Sequence, residues 1–264
     1  MKRRDWSPII EEAREIVESY DTGVTLRQLF YRLVSLEILR NTLSDYTQLS
    51  SRTAEARRDG TFPDLIDNTR MIHRPAAWDG PEEARAALRR QYRRDRTEAQ
   101  EHTVYIGVEK SSMIAQLTSW FGEFGLPVLA LGGYSSQTYV DEVRADIDAQ
   151  ERLAVLLYAG DFDPSGEDIA RDFIERTGCF DIAYRVALAP EQVTEYALPP
   201  LPGKASDTRA AGFVAKHGRL VQVELDALPP DVLHHLYLDA LTPFLDMSKV
   251  EASKRQEALD RLKL

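Results

Sequence analysis

A single cysteine, Cys179, is all the thiol in a chain of 264 residues. It excludes an intrachain disulfide and any zinc cluster built on cysteines, and it fits a reducing cytoplasm. Neither Cys179 nor His217 has a partner at ligand or triad spacing, so both are read as structural, and a metal ion would have to be held by oxygen. Long apolar runs are also missing. The longest, Leu153–Ala159, is far short of the ~20 residues that a membrane helix needs. The start, Met1-Lys2-Arg3-Arg4-Asp5-Trp6, leads into charge rather than a signal-like apolar segment. Neither secretion nor membrane insertion is expected. No repeat and no low-complexity segment stands out.

Positive charge is scarce overall. The formal net charge of −10 argues against simple nonspecific binding to nucleic acid, which relies on neutralising phosphates. The deficit is uneven, however: residues 1–100 are near +1 and the remainder near −11. An arginine-rich first part joined to an acidic second part suits an enzyme that gathers carboxylates around a divalent cation next to DNA. It suits an ordinary acidic cytosolic protein equally well.

What is present is an α/β pattern. Ser7-Pro8, followed by Ile9, Ile10, Ala13, Ile16 and Val17, reads as a capped amphipathic helix ending near Tyr20. Thr25-x-x-Gln28 is a capping box opening a second helix with the stripe Leu26, Leu29, Phe30, Leu33 and Val34. A third helix is predicted from Ser44 or Asp45 to Arg58, stopping at Gly60. Three short helices with tight connections suggest a winged-helix unit. Residues 80–102 read as an exposed, charged connecting helix. Beyond it, apolar runs at 103–108, 126–131, 153–159 and 182–188 alternate with helical patterns at 111–124, 135–150 and 165–177. That alternation implies parallel strands with crossover helices. A proline-rich tail, a run at 221–225 and amphipathic stretches at 231–245 and 249–263 follow. The predicted organisation is a winged-helix tyrosine domain at 1–78, a connecting helix at 79–102, and an acidic α/β domain with a C-terminal extension at 103–264.

Two sets of residues carry chemistry. On the helical wheel Tyr31 falls about 130° from the centre of its helix's apolar stripe, so Phe30 is predicted to be core and Tyr31 not. Arg27, one turn earlier, can sit beside the phenol, favour the phenolate and grip a phosphate. A half-packed boundary tyrosine explains the same pattern. Glu109 follows one strand, while Asp161 and Asp163 follow another. In open α/β sheets ligands bind outside the carboxyl ends of strands, so these three acids can converge and would then call for a cation such as magnesium. Asp163-Pro164 is equally a good helix N-cap. Glu224 and Asp226 alternate on a predicted strand and are candidates for supporting this set or for plain solvation.

Val-Glu109-Lys110, Gly132-Gly133 and Asp161-Phe-Asp163-Pro-Ser-Gly166, each after a strand, resemble a Toprim domain, the metal-binding fold of topoisomerases, certain primases and some nucleases. Before it, Arg27-Gln-Leu-Phe-Tyr31 resembles the catalytic tyrosine motif of the topoisomerase VI A subunit and the meiotic double-strand-break transesterase. The resemblance spans roughly residues 20–245, including Tyr-Ala-Leu-Pro199 and Val-Glu224-Leu-Asp226-Ala-Leu, and is nearest to the short stand-alone mini-A form. It implies that Tyr31 attacks duplex DNA to leave a 5′-phosphotyrosyl end and a free 3′-hydroxyl. Arg27 would stabilise phosphate charge. Glu109, Asp161 and Asp163 would hold Mg2+, with Glu109 also passing a proton to the leaving oxygen. Arg52, Arg57, Arg58, Arg70 and Lys110, with Arg74, would contact the DNA backbone, although for any single one of the arginines a solvated surface position is the better reading.

The same resemblance implies a symmetric homodimer in which the tyrosine of one protomer meets the acidic set of the other. Longer relatives also engage an ATPase B-type subunit through an N-terminal extension. Only 24 residues precede Thr25, which argues against that partner. The family usually has aspartate after the motif arginine, where this chain has Gln28, and that substitution weakens the case for an activated tyrosine. Two competing readings follow: a Toprim nuclease in which water attacks, and a DNA-binding protein with a vestigial acidic site.

Overall fold

The computed structural model describes residues 4–67, 74–203 and 206–264. The chain opens with three helices, α1 (Ser7–Glu18), α2 (Leu26–Ser35) and α3 (Leu43–Arg58). The capping box forms as predicted: Thr25 Oγ1 accepts from Gln28 N at 3.2 Å, and Gln28 Oε1 accepts from Thr25 N at 2.9 Å. Thr42 caps α3 through Asp45 N. Asp45, itself buried, takes bonds from Arg4 and from the backbone of Arg40, which fixes the entry to that helix. Outside these helices the first part pairs only through a parallel bridge between Thr25 and Ile66 among the described residues.

The charged connector is shorter than expected. Helix α4 (Pro81–Gln91) ends at Tyr92, and the chain then runs without helix to the sheet. Its polar groups find partners on the last helix of the chain: Arg94 N and Arg96 Nη2 donate to the buried Glu257, and Tyr92 donates to Asp260. Arg261 also reaches Glu257. Removing a carboxylate that several buried donors share leaves cationic charge uncompensated. Glu257→Ala is therefore expected to lower stability by about 3 kcal/mol, read as a fall in the urea midpoint with an unchanged slope.

The second part alternates strand and helix: β1 (His102–Val108), α5 (Ile114–Phe121), β2 (Val128–Ala130), α6 (Gln137–Asp148), β3 (Leu153–Ala159), α7 (Pro164–Thr177) and β4 (Ile182–Ala187). After these come α8 (Pro190–Glu195), β5 (Leu201–Pro202), α9 (Ala210–His217), β6 (Val221–Gln222), α10 (Pro230–Leu241) and α11 (Met247–Arg261). The first four strands form one parallel sheet in the order β2-β1-β3-β4. Covered on both faces, β1 and β3 read as unbroken apolar runs. Val104, Ile106, Val108, Val155 and Leu157 face one buried cluster, which continues to Leu29 and Phe30 on α2 and to Tyr237 on α10. Tyr105, Leu156 and Tyr158 face another, with Val143 on α6 and Phe173 on α7.

Among the described residues no helix is long and apolar enough to cross a membrane.

Two expectations change here. The run at 221–225 is a strand only at Val221–Gln222, paired antiparallel with β5. Glu224 then opens a 3-10 turn, Leu225–Ala227. Tyr31 is buried, at 6% exposure, rather than lying at a boundary. The wheel considers α2 alone, whereas the 3-10 turn also packs against it, a contact nearly two hundred residues away in sequence, and Tyr31 joins the same buried cluster as Leu225 and Ala227.

Candidate functional site

The sheet's register builds the acidic set. Val108 and Ala159 pair as the last residues of β1 and β3, and Glu109 N donates to Ala159 O at 2.9 Å. Glu109 is thereby set beside the turn that carries Asp161, and its Oε2 accepts from Asp161 N at 2.7 Å. Asp161, 7% exposed, uses Oδ1 to accept from Leu225 N at 2.7 Å. Asp163 Oδ1 caps α7, accepting from Gly166 N at 2.7 Å and Ser165 Oγ at 2.8 Å. A β-carbon on Gly166 would stand 2.4 Å from Asp161 O and 3.0 Å from Glu109 Oε2. Only glycine lets the first turn of α7 close this tightly on the acids.

Burial, with Asp161 and Asp163 repelling, pushes the Glu109 carboxyl up to about 7. Burial raises Asp161 too, against the pull of Lys110. For Glu109 the folded-state value exceeds the ordinary 4.5. Its contribution to stability is thus full below about pH 4.5 and is lost as pH rises through 7. Glu109→Gln, which keeps the acceptor and drops the charge, is expected to raise the melting temperature at pH 8 by about 3 °C in metal-free buffer and to change little at pH 4. Scanning calorimetry at the two pH values checks it.

Among the described residues no group of three or more His, Cys, Asp or Glu side chains is gathered closely enough to hold a metal ion as it stands. The donor chemistry nonetheless fits a hard cation. All three acids offer oxygen, Glu109 forms no ion pair among the described residues, and its raised value marks negative charge in need of balance. Glu109, Asp161 and Asp163 are the side chains that would hold magnesium.

Next to them lies a denser ionic cluster. Lys110 Nζ donates to Glu224 Oε2 at 2.7 Å and Asp226 Oδ2 at 2.8 Å, and stands 3.1 Å from Asp161 Oδ1. Burial alone would lower the ammonium's value, but Asp226, Asp161 and Glu224 raise it above the ordinary lysine range. The Arg27 guanidinium donates to the same Glu224 oxygen and lies 3.6 Å from Asp226 Oδ2. These acids arrive through a bridge in which Phe162 and Val223 exchange backbone hydrogen bonds of 2.9 and 3.0 Å. That bridge pins the segment before Glu224 between Asp161 and Asp163.

Tyr31 completes the cluster. Its ring lies edge-on to Phe30 with centroids 5.5 Å apart, and the Arg27 guanidinium carbon is 5.9 Å from its centre. Burial and the facing Glu224 carboxylate push the phenol up to about 12, outweighing Arg27. The expected lowering by Arg27 is present but loses to burial and to the Glu224 carboxylate.

Sequence reasoning singled out both residue sets and left the charge network between them unseen. Glu224 and Asp226 bind Lys110 and Arg27 directly; their only signal was a pair of acids following a short apolar run. Gln28 turns away from this chemistry: it closes the capping box and donates to Gln116 Oε1 on α5 at 3.1 Å. Arg52 pairs with Glu55, Arg57 returns to the carbonyl of Thr53, and Arg58 is exposed on α3. Arg74 is exposed, and Arg70 lies outside the described residues. Arg185, not anticipated, donates to the carbonyls of Asp161 at 2.7 Å and Leu188 at 3.1 Å, bracing the turn that bears Asp161.

Comparison with protein-family models and with curated proteins returned no match for this chain.

Proposed function

We propose that the protein is a Mg2+-dependent DNA transesterase of the topoisomerase VI A type, cutting duplex DNA through Tyr31. The observation that carries this reading is the acidic set at the strand ends, where Asp161 N bonds Glu109 beside Asp163, with Arg27 next to the Tyr31 ring on α2 and ion-paired to Glu224 in the cluster adjoining that set. A phenol beside a fixed guanidinium, in a chain that also gathers buried carboxylates at its strand ends, suits attack on a phosphodiester.

In this reading the N-terminal helices act as the winged-helix unit and the parallel sheet as the Toprim unit. Arg27 and Lys110 hold the phosphate oxygens. The Tyr31 oxygen forms a bond to phosphorus as the bond to the 3′ oxygen breaks; the phenolic proton leaves to water, and Glu109 passes one to the departing oxygen. Bound magnesium would supply neutralisation of charge developing on the phosphate and leaving oxygen. Two copies of the chain would act together on DNA in the cytoplasm, the tyrosine of each serving the acidic set of the other.

One observation favours a second reading. A phenol pushed up to about 12 is a poor nucleophile until its surroundings change, which suits a nuclease in which water attacks and Tyr31 packs. The test is whether the 5′ ends made in Mg2+ carry protein linked through Tyr31.

A further inference from the structure

Where α9 packs on α7, a cleft of about 580 Å3 is lined by Arg171, Arg185, Arg209 and Lys216 against Glu167 and Asp168. A smaller hollow of about 180 Å3 adjoins it, shares Pro164 and Arg209 with it, and reaches Asp163 of the acidic set. Four cations around one cleft reverse the local charge in a part of the chain that is near −11 overall. Three of them have carboxylate partners: Arg171 pairs with Asp168, Arg209 with Asp207 at the rim, and Lys216 with Glu167 at 3.0 Å. Arg185 forms no ion pair among the described residues. Its Nε and Nη2 donate only to carbonyls, those of Leu188 at 3.1 Å, Gly160 at 3.3 Å and Asp161 at 2.7 Å, and its Nη1 makes no hydrogen bond among the described residues.

A guanidinium held in place by carbonyls, with a nitrogen to spare and no carboxylate to balance it, is matched by a phosphate oxygen. The exposed Tyr134 accepts from Arg209 Nη1 at 3.0 Å and donates to Asp168. It follows the Gly132-Gly133 turn, where a β-carbon on Gly132 would stand 2.7 Å from Glu109 O. An aromatic ring beside cations is a surface on which nucleic acid packs, and this one is tied to a turn lying against the acidic set. We infer that the cleft holds the sugar-phosphate backbone of the DNA strand that reaches the acidic set, with Arg185, Arg209 and Lys216 as its phosphate contacts. No residue of α2 lines it, so the strand takes the same path when the tyrosine comes from the other protomer.

This inference rests on the DNA-cleaving reading, and binding without cleavage tests it. Fluorescence anisotropy of a labelled 20-base-pair duplex is measured in EDTA across a salt series, with thermal melting as the check of folding. Arg185→Gln is one arm. Because Arg185 also braces the turn bearing Asp161, the second arm is the pair Arg209→Gln with Lys216→Gln, which leaves that turn alone. Lys254→Gln with Lys263→Gln, at the C-terminal end of the chain, removes the same charge elsewhere. The Arg209 and Lys216 pair is expected to weaken binding about tenfold or more, with a salt dependence shallower by about two released ions, and Arg185→Gln to flatten it by about one. The Lys254 and Lys263 pair should stay within about twofold of wild type. Wild-type affinity and salt dependence in the folded Arg209 and Lys216 pair overturns the cleft as the backbone site and leaves DNA binding by the protein intact. An equal loss in the Lys254 and Lys263 pair overturns it too, as a general effect of removing positive charge. Absence of duplex binding by every protein overturns both the cleft and the DNA reading.

Discussion

Lys110→Met lowers stability by about 3 to 5 kcal/mol, the largest loss expected from any one side chain of the site. Methionine keeps the length and the apolar stem, so packing changes little. What disappears is the one ammonium that Asp161, Glu224 and Asp226 share at 2.7 to 3.1 Å. Lys110 is 21% exposed and those acids are more buried, so water screens the loss poorly. Arg27 alone then faces Glu224 and Asp226, and Asp161 loses the cation beside it. The penalty should shrink as pH falls and the acids take up protons, and millimolar Mg2+ should raise the melting temperature of Lys110→Met more than that of wild type. Urea titrations at pH 8 and pH 4.5, and melting curves with and without Mg2+, read all of this. A loss under about 0.5 kcal/mol, the level of an exposed pair, would show that the cluster is solvated rather than locked.

The sequence made some of this architecture plain, and the reasons are physical. Continuous apolar runs such as Leu153–Ala159 are what a parallel strand covered on both faces requires, and they placed the sheet closely. The capping box at Thr25 is local chemistry, so it could be read to the residue. Strand ends also placed Glu109 and Asp161 together, because parallel neighbours in register finish at the same level. Contacts between distant segments stayed hidden. Tyr31 looked like a boundary residue because the helical wheel knows only its own helix, while the distant turn Leu225–Ala227 also packs against that helix. Lys110 looked like a phosphate contact; its partners Glu224 and Asp226 lie more than a hundred residues away. Charge patterning along the chain gives no hint of which acid meets which cation.

Tyr31→Phe separates the two readings of the chemistry. The ring keeps its packing against Phe30, so stability should change by less than about 1 kcal/mol. Should the phenolic oxygen be the nucleophile, cleavage falls by about 10³-fold or more, about 4 kcal/mol in barrier, while duplex binding stays within about twofold. Burial, ahead of the facing Glu224 carboxylate, raises the phenol in this arrangement, so a nucleophilic Tyr31 requires its surroundings to change before attack.

The measurement that tests this most directly is plasmid cleavage in Mg2+, quenched with detergent and analysed with and without protease, for wild type and Tyr31→Phe side by side. The transesterase account predicts 5′ ends covalently bound to protein in the wild type, freed only by protease, and none with Tyr31→Phe. Free 5′-phosphate ends made equally by both proteins would contradict it.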